Sequence, residues 1–235
     1  MSKKTVIAGT LILTSASLIT KFIGFFYRVY MVNLIGTEGM GLYQLIMPIY
    51  TWSITSSGFT TTISKLTAQE KAKNQTGNMG RILKQSLFMT VTASIIISGF
   101  LFFCADWFSE TILKEPRTAF AFRVLAMAIP FMSSGSCIRG YFLGLQYALV
   151  PAFSQVLEQI VRIVAIYFTA SLFVPKGLSY ACVCAVIGIV CGEVISFLFV
   201  FCNYIRFKRK KKYIKKPTLS RSKAFFMIGG MAIPV

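Results

Sequence analysis

Residues 10–28 form an apolar stretch that carries two cations within a regular series of polar or small residues. These residues recur at steps of four, three, four, three and four, which places them on one side of a helix; they are Thr10, Thr14, Ser17, Lys21, Gly24 and Arg28. The other sides are continuously apolar, which indicates a membrane-spanning helix. Because a cation in hydrocarbon costs at least ~2.5 kcal/mol, we expect Lys21 and Arg28 to face protein, water or an anionic ligand.

The composition indicates a polytopic membrane protein. Of the 235 residues, 55% are hydrophobic and only 14% are charged, and the mean hydropathy is +0.68. These values lie well outside the balance of soluble proteins. The net charge of +18 would suggest nucleic-acid binding in a soluble protein, but the bases lie in short segments between apolar runs. We therefore predict no nucleic-acid partner.

The chain contains no histidine and has six cysteines, none of them in CxxC spacing. Without histidine this stretch of chain lacks the usual base of serine and cysteine hydrolases and the commonest metal ligand. The cysteines lie in or beside apolar segments, where they pack as small apolar side chains. We predict that the chain is not an enzyme and holds no cofactor or metal.

The apolar runs predict an all-α polytopic membrane protein with six transmembrane helices. The predicted spans are 5–32, 42–63, 87–105, 118–138, 151–174 and 180–204. They form an N-terminal lobe over 1–204, followed by a basic cytoplasmic loop over 205–223. Residues 224–235 are predicted as the truncated start of a second lobe, because another apolar run begins there.

Glycine and proline predict bends and close contacts in several spans. Gly24 in the first span allows a bend or a close neighbour, and Pro48 and Pro130 predict kinks in the second and fourth spans. In the sixth span Gly188 and Gly192 have the GxxxG spacing that favours close helix packing.

The second span is rich in hydroxyl side chains, with nine serines and threonines in residues 51–64. Such hydroxyls either bond back to their own helix or line a polar cavity, and both alternatives stay open. Gln44 and Thr55 are candidates for lining a cavity.

The fifth and sixth spans carry charges within apolar surroundings. Glu158 and Arg162 are four residues apart, which predicts an ion pair within one helix. The pair either neutralises itself structurally or forms the charged wall of a water-filled cavity opposite Lys21 and Arg28. Glu193 is the lone charge of the sixth span. The two acids are candidates for ion coupling.

Basic residues are distributed unequally between alternate loops. With the predicted spans, eighteen basic residues lie on the side of the N-terminus and three on the other side. The eighteen include Arg139 and ten bases in 206–223. This asymmetry predicts a cytoplasmic N-terminus. We also expect the basic segment from Arg206 to Lys223 to contact anionic lipid headgroups.

The opening sequence TVIAGTLILTSASLITKFIGFFYRVYMVNLIGTEGMGLYQLIMPIY resembles the stage V sporulation protein B-like, polysaccharide transporter family. This family belongs to the multidrug/oligosaccharidyl-lipid/polysaccharide (MOP) flippase superfamily, which also contains the MATE exporters and the lipid II flippases. The resemblance implies two six-helix lobes that face each other across a central cavity. This chain would supply the first lobe, and the missing C-terminal lobe would be its partner.

The resemblance also implies a role for one of the two cations. In the lipid II flippases, a Gly-Phe-x-Arg-Asp signature in the first helix supplies a cavity arginine. The similar stretch here is Gly24-Phe25-Phe26-Tyr27-Arg28, which has one more residue before the arginine; the resemblance assigns that role to Arg28, although Val29 stands in place of the acid. A second cavity arginine would fall near Met47 and is absent. These departures weigh against lipid II as the substrate. Another lipid-linked saccharide that carries a pyrophosphate remains a reasonable substrate.

The predicted function is a flippase or exporter of undecaprenyl-pyrophosphate-linked oligosaccharide, or of a cell-wall or polysaccharide precursor, in the bacterial plasma membrane. It would work by alternating access and serve spore cortex or envelope assembly. The predicted substrate cavity contains Lys21, Arg28, Gln44, Thr55, Glu158 and Arg162. Two alternatives stay open: a cation-coupled MATE-type multidrug exporter that uses Glu158 or Glu193, and a non-transporting scaffold for envelope glycan synthesis.

Overall fold

The computed structural model describes residues 3–54, 57–210 and 227–228, and these ranges contain helices and turns without strands. The predicted all-α class is therefore confirmed. The helices are α1 (Lys3–Ile54), α2 (Ser57–Ala72), α3 (Thr76–Phe103), α4 (Ala105–Trp107), α5 (Ala119–Ala126), α6 (Ile129–Gly144), α7 (Leu149–Phe173) and α8 (Leu178–Lys210). Short π and 3-10 turns lie at Phe108–Ile112, Pro116–Thr118 and Val174–Lys176.

The long helix α1 consists of two limbs that meet at Gly36. This residue has φ 72° and ψ 177°, a combination that only glycine adopts without strain. The side chains of Tyr27 and Tyr43 interact, although a straight helix would separate these residues by ~24 Å along its axis. The first limb (3–35) and the second limb (37–54) therefore lie side by side.

The position of this break differs from the bend or close neighbour predicted at Gly24. Gly24 lies in regular helix, and no heavy atom of a neighbouring element comes within 4 Å of the place where a Cβ would stand. A glycine alone does not bend a helix. At Gly36 the backbone angles themselves end one limb and begin the next.

Within the described residues, four helical stretches are long and apolar enough to cross a membrane, namely Ile7–Pro48, Thr76–Phe103, Leu149–Phe173 and Leu178–Arg209. A fifth candidate is the pair Pro116–Ala126 and Ile129–Gly144, which is bent by 44°. The chain is thus a multi-pass membrane protein, as predicted. The count of six spans stays a prediction, because the first of these stretches contains both limbs of α1.

Several helices extend beyond the predicted spans. Most of residues 64–84, predicted as a polar loop, belong to α2 and α3, and α6 continues to Gly144 instead of ending at 138. Hydropathy locates the apolar part of a helix, but polar turns at the membrane surface remain helical where their backbone stays hydrogen-bonded.

The two prolines lie at different places in their helices. Pro48 lies inside the second limb of α1. The backbone of α1 departs from helical angles at Gly36 and not at Pro48. Pro130 lies in the first turn of α6, just after the bend that separates α5 from α6. Proline fits a first helical turn because the backbone N–H at this position has no partner within the helix. The bend therefore precedes the proline.

The core is built around α7 and α8, and both helices pack against α1. Met31 and Ile46 from the two limbs of α1 share one buried cluster with Ile166 of α7 and Ile189 of α8. A second cluster joins α2, α3, α6 and α8 through Ile63, Leu83, Ile138 and Val200. The two clusters place α6, α7 and α8 side by side across the middle of the protein.

Candidate functional site

The first limb of α1 presents its two cations on a face that the described chain does not cover. Its packed side contains Ala16, Tyr27 and Met31, which are buried, whereas Lys21 and Arg28 are exposed. The neighbouring exposed side chains are large and apolar, among them Phe22, Phe25 and Phe26. Lys21 and Arg28 are thus two positive charges on an exposed polar stripe that large apolar side chains flank.

A tyrosine pair lies behind this face. Tyr27 of the first limb is 7% exposed. Tyr43 of the second limb and Arg162 of α7 both interact electrostatically with it. Arg28 also lies within electrostatic range of Tyr43. Tyr43 therefore lies within electrostatic range of both Arg28 of the first limb and Arg162 of α7.

The predicted site residues of the second limb are only partly visible. Gln44 is exposed and directly follows the buried Tyr43. Thr55 lies outside the described residues. The pairing of the two limbs brings Gln44 to the same end of α1 as Arg28, because each directly follows one of the paired tyrosines.

A charge network lies at the interface of α6, α7 and α8. Arg162 Nη2 donates a 2.8 Å hydrogen bond to Glu158 Oε1, so the ion pair predicted from their spacing is present. Arg139 Nη1 lies 4.0 Å from the other oxygen of Glu158. All three side chains are only 13–14% exposed. The carboxylate of Glu158 therefore lies between two guanidinium groups.

Hydroxyl groups complete the surroundings of Arg139. Its Nη1 donates a 3.2 Å hydrogen bond to Ser196 Oγ, and its Nη2 donates a 3.2 Å bond to Ser136 Oγ. The Ser196 hydroxyl in turn donates to the carbonyl of Ser154, at 3.3 Å. These bonds join three helices and compensate for burying the guanidinium.

Glu193 brings a second carboxylate to the same region. It is 4% exposed and interacts electrostatically with Glu158. With Arg139 and Arg162, the two acids form a group whose formal charges sum to zero when all four residues are ionised. The network can therefore exist within a membrane-spanning lobe without a net buried charge.

Two glycines of α8 allow α7 to come this close. A Cβ on Gly192 would lie 2.9 Å from the carbonyl oxygen of Glu158, and one on Gly188 would lie 2.5 Å from the side chain of Ile166. Larger side chains would push α8 away from the turn that carries Glu158 and Arg162. The close approach thus positions the charge network.

Arg139 is the main site residue that the sequence placed incorrectly. The sequence predicts it as a cytoplasmic loop base, because the predicted fourth span ends at 138. In the structure it belongs to α6, and its side chain points into the protein. The GxxxG spacing of Gly140 and Gly144 gave a signal for this continuation, since an added Cβ at either glycine would lie 2.6 Å from a carbonyl oxygen of α2.

The described residues contain no cluster of three histidine, cysteine, aspartate or glutamate side chains that could hold a metal ion. The six cysteines are all free thiols. What the site offers chemically is fixed charge: exposed cations on α1 and a compensated ion-pair network behind them.

Over residues 6–235 the chain matches the family described as polysaccharide biosynthesis protein. Stage V sporulation protein B of Bacillus subtilis (strain 168) is 37% identical over 213 residues, which cover 90% of this chain and 40% of that protein. The lipid II flippase MurJ of the same organism is 28% identical over 260 residues, which cover 100% of this chain and 46% of that protein. The chain thus spans less than half the length of these relatives.

Two solved structures share the fold. A MOP superfamily transporter from Pyrococcus furiosus superposes with a TM-score of 0.76 at 16% identity, over 95% of this chain and 50% of that one. A multidrug resistance MATE family transporter superposes with a TM-score of 0.74 at 17% identity, over 94% of this chain and 50% of that one. The predicted MATE-like fold class is confirmed. Since the family match covers nearly the whole sequence, the chain belongs to the polysaccharide biosynthesis protein family of membrane proteins.

Proposed function

We propose that this chain supplies one lobe of a flippase that moves an undecaprenyl-pyrophosphate-linked oligosaccharide, or a related envelope precursor, across the membrane. The observation that carries the proposal is the exposure of Lys21 and Arg28 on a polar stripe of α1 that exposed apolar side chains flank. Two cations on a spanning helix need a partner, and a pyrophosphate headgroup carries the matching charge. The two relatives described above include a protein named as a lipid II flippase, which supports the substrate class.

The geometry of α1 suggests how the headgroup is held. Lys21 and Arg28 are seven residues apart on one side of the helix, ~10 Å along its axis, and both side chains are long enough to converge on one diphosphate. Gln44 can add hydrogen bonds to sugar hydroxyls from the second limb. In this proposal the lipid tail stays in the bilayer, next to the exposed phenylalanines.

A second lobe completes the cavity in this proposal. The chain covers about half of each transporter whose fold it shares. A second lobe facing α1 would cover the uncovered face and enclose Lys21 and Arg28. Alternating access between the two lobes would then expose the cations to each side of the membrane in turn. We place this protein in the bacterial plasma membrane with its N-terminus in the cytoplasm.

Headgroup translocation by the full-length protein in proteoliposomes tests this function. We expect Arg28→Gln and Lys21→Gln each to lower the rate at least ~10-fold, because a charge-assisted hydrogen bond to the headgroup is lost. Arg123→Gln is the matched control, since Arg123 is also partly exposed but pairs with Asp106. An unchanged rate in both α1 variants would exclude the proposed role of these cations.

A cation-coupled multidrug exporter is the second candidate. The observation in its favour is the electrostatic contact between the carboxylates of Glu158 and Glu193 within spanning helices, an arrangement that suits proton or sodium binding. It predicts extrusion of cationic dyes that stops in Glu193→Gln, whereas the flippase predicts no dye transport. The positive charges on α1 favour an anionic substrate. If envelope synthesis survived the loss of all these charges, a non-transporting scaffold would be the better explanation.

A further inference from the structure

A pocket of about 430 Å³ lies where α8 ends and the turn between α6 and α7 begins. Arg206 and Arg209 line it from α8, Tyr147 from the turn, and Asn203 and Phe207 form part of its wall. Among the described residues, none of those that line the pocket is acidic. Its size lies in the range of small-molecule sites. The pocket is far along α8 from the charge network at Glu193, so it is separate from the site described above.

The turn that carries Tyr147 is held in one conformation. Lys71 Nζ of α2 donates a 2.7 Å hydrogen bond to the carbonyl of Leu145, and Gln146 adopts a positive φ of 66°. The backbone N–H of Tyr147 then donates to the carbonyl of Phe142, at 2.9 Å. These bonds fix the direction of the turn, so the pocket does not have to be ordered when a ligand binds.

Aromatic rings form the inner surface of the pocket. The ring centroids of Tyr147 and Phe207 are 5.3 Å apart, and those of Phe142 and Phe207 are 5.9 Å apart. Phe142 is buried, whereas Tyr147 is 45% exposed. Tyrosine with an apolar body and a wet hydroxyl is typical of the level at which lipid headgroups lie.

The pocket lies at the ends of two candidate membrane spans. One of them, α7, begins at Leu149, and the candidate span of α8 ends at Arg209, with basic residues in its last turn. Next to the pocket, in the direction of the membrane, Phe153 and Phe199 form a ring contact at 5.3 Å, and Phe153 and Leu149 are exposed. An apolar strip therefore continues from the basic pocket along the hydrocarbon-facing surface.

We propose that this pocket binds the phosphate headgroup of an anionic bilayer phospholipid. Arg206 and Arg209 hold the phosphate, Tyr147 and Asn203 supply hydrogen-bonding groups for the glycerol, and an acyl chain lies along Phe153 and Leu149. Basic pockets between spanning helices recognise anionic headgroups in this way. The two arginines are three residues apart and so lie on the same side of α8, which allows both to contact one phosphate. The proposal does not depend on what the protein transports.

Lipid titration of the full-length protein in detergent, followed by native mass spectrometry, tests this site. The probes are dioleoylphosphatidylglycerol and, as the zwitterionic comparison, dioleoylphosphatidylcholine. We expect one tightly retained phosphatidylglycerol, and at least ~10-fold weaker binding of it in Arg206→Gln and in Arg209→Gln, because a direct charge-assisted contact is lost. Equal retention of the two lipids by the unmodified protein would overturn the proposal.

Lys208→Gln is the matched control for general attraction. Lys208 is exposed between the two arginines but does not line the pocket. Neutralising it removes one positive charge near the membrane, worth about fivefold or less in affinity. A loss in Lys208→Gln equal to that in the arginine variants would mean that the basic segment attracts lipid without a pocket, and would overturn the proposal.

A filled pocket provides a second test that keeps every charge. Val150 lines the pocket, and Val150→Trp would occupy part of its volume. We expect the retained phosphatidylglycerol to disappear in this variant, in protein that still elutes as a single species. Unchanged retention in folded Val150→Trp would refute the pocket. If Val150→Trp does not fold, the comparison of lipid retention in Arg206→Gln and in Lys208→Gln decides whether the pocket binds the lipid. Displacement of phosphatidylglycerol by inorganic phosphate at equal concentration would also refute the proposal that the pocket binds a phospholipid.

Discussion

Arg162 and Glu158 form a hydrogen-bonded ion pair across one turn of α7, with 2.8 Å between Nη2 and Oε1. The same carboxylate faces Arg139 of α6 and interacts with Glu193 of α8. The pair thus belongs to a network that connects three helices of one lobe. Because these charges compensate one another within the protein, we expect their removal to change the stability of the lobe.

We expect Arg162→Gln to lower the free energy of unfolding by ~2–3 kcal/mol, because it removes the guanidinium that is hydrogen-bonded to Glu158 and leaves this carboxylate close to that of Glu193. The double variant Glu158→Gln/Arg162→Gln should recover part of this loss, since no unbalanced carboxylate remains at that position. Unfolding in detergent, analysed as a double-mutant cycle, measures the coupling.

The matched comparison is the pair between Arg123 and Asp106, whose side chains are 39% and 57% exposed. Removing a pair that contacts solvent costs ~1 kcal/mol or less, so Arg123→Gln should hardly change unfolding. If Arg123→Gln and Arg162→Gln destabilised the protein equally, the buried network would have no special role.

The sequence predicted this network only in part. The spacing of Glu158 and Arg162 sufficed for their ion pair, because both partners lie on one helix. The part played by Arg139 depends on tertiary packing: α6 continues past the end of its apolar run, and this continuation turns a predicted loop base into an interior residue. For the same reason the tyrosine pair was missed, since Tyr27 and Tyr43 meet only after the chain has folded back at Gly36.

Gly192→Ala should destabilise the protein by ~1–3 kcal/mol. The new Cβ would lie 2.9 Å from the carbonyl oxygen of Glu158, and a backbone atom within a helix cannot move aside without separating α7 from α8. Gly24→Ala is the control, because no heavy atom of a neighbouring element lies within 4 Å of its Cβ position. There the substitution should stabilise the helix by ~0.5–1 kcal/mol. Thermal unfolding in detergent measures both, and opposite signs are the expected result.

Gly36→Ala should cost ~1–3 kcal/mol, since φ 72° and ψ 177° lie in a region that residues with a Cβ rarely adopt. Gly41→Ala tests the same exchange in the second limb, where the backbone is helical and the Cβ position is open. A disulfide cross-link between cysteines placed at Tyr27 and Tyr43 reports the pairing of the limbs directly. Efficient cross-linking in Gly36→Ala, together with unchanged unfolding, would contradict a break that depends on glycine.

The basic residues that remain in loops and at helix ends predict which side of the membrane each end of α8 faces. Arg139 no longer counts as a loop base, but the asymmetry remains large: with the six predicted spans, seventeen of the 25 bases are predicted on the side of the N-terminus and three on the other. Such a bias predicts that Lys208 lies in the cytoplasm and that Glu110, in the turn Phe108–Ile112, lies outside the cell. Both side chains are exposed. In a variant without native cysteines, a membrane-impermeant maleimide added to intact cells should label Glu110→Cys, whereas Lys208→Cys should react only after permeabilisation. The reverse pattern would invert the proposed topology and would place the pocket at Arg206 in the outer leaflet.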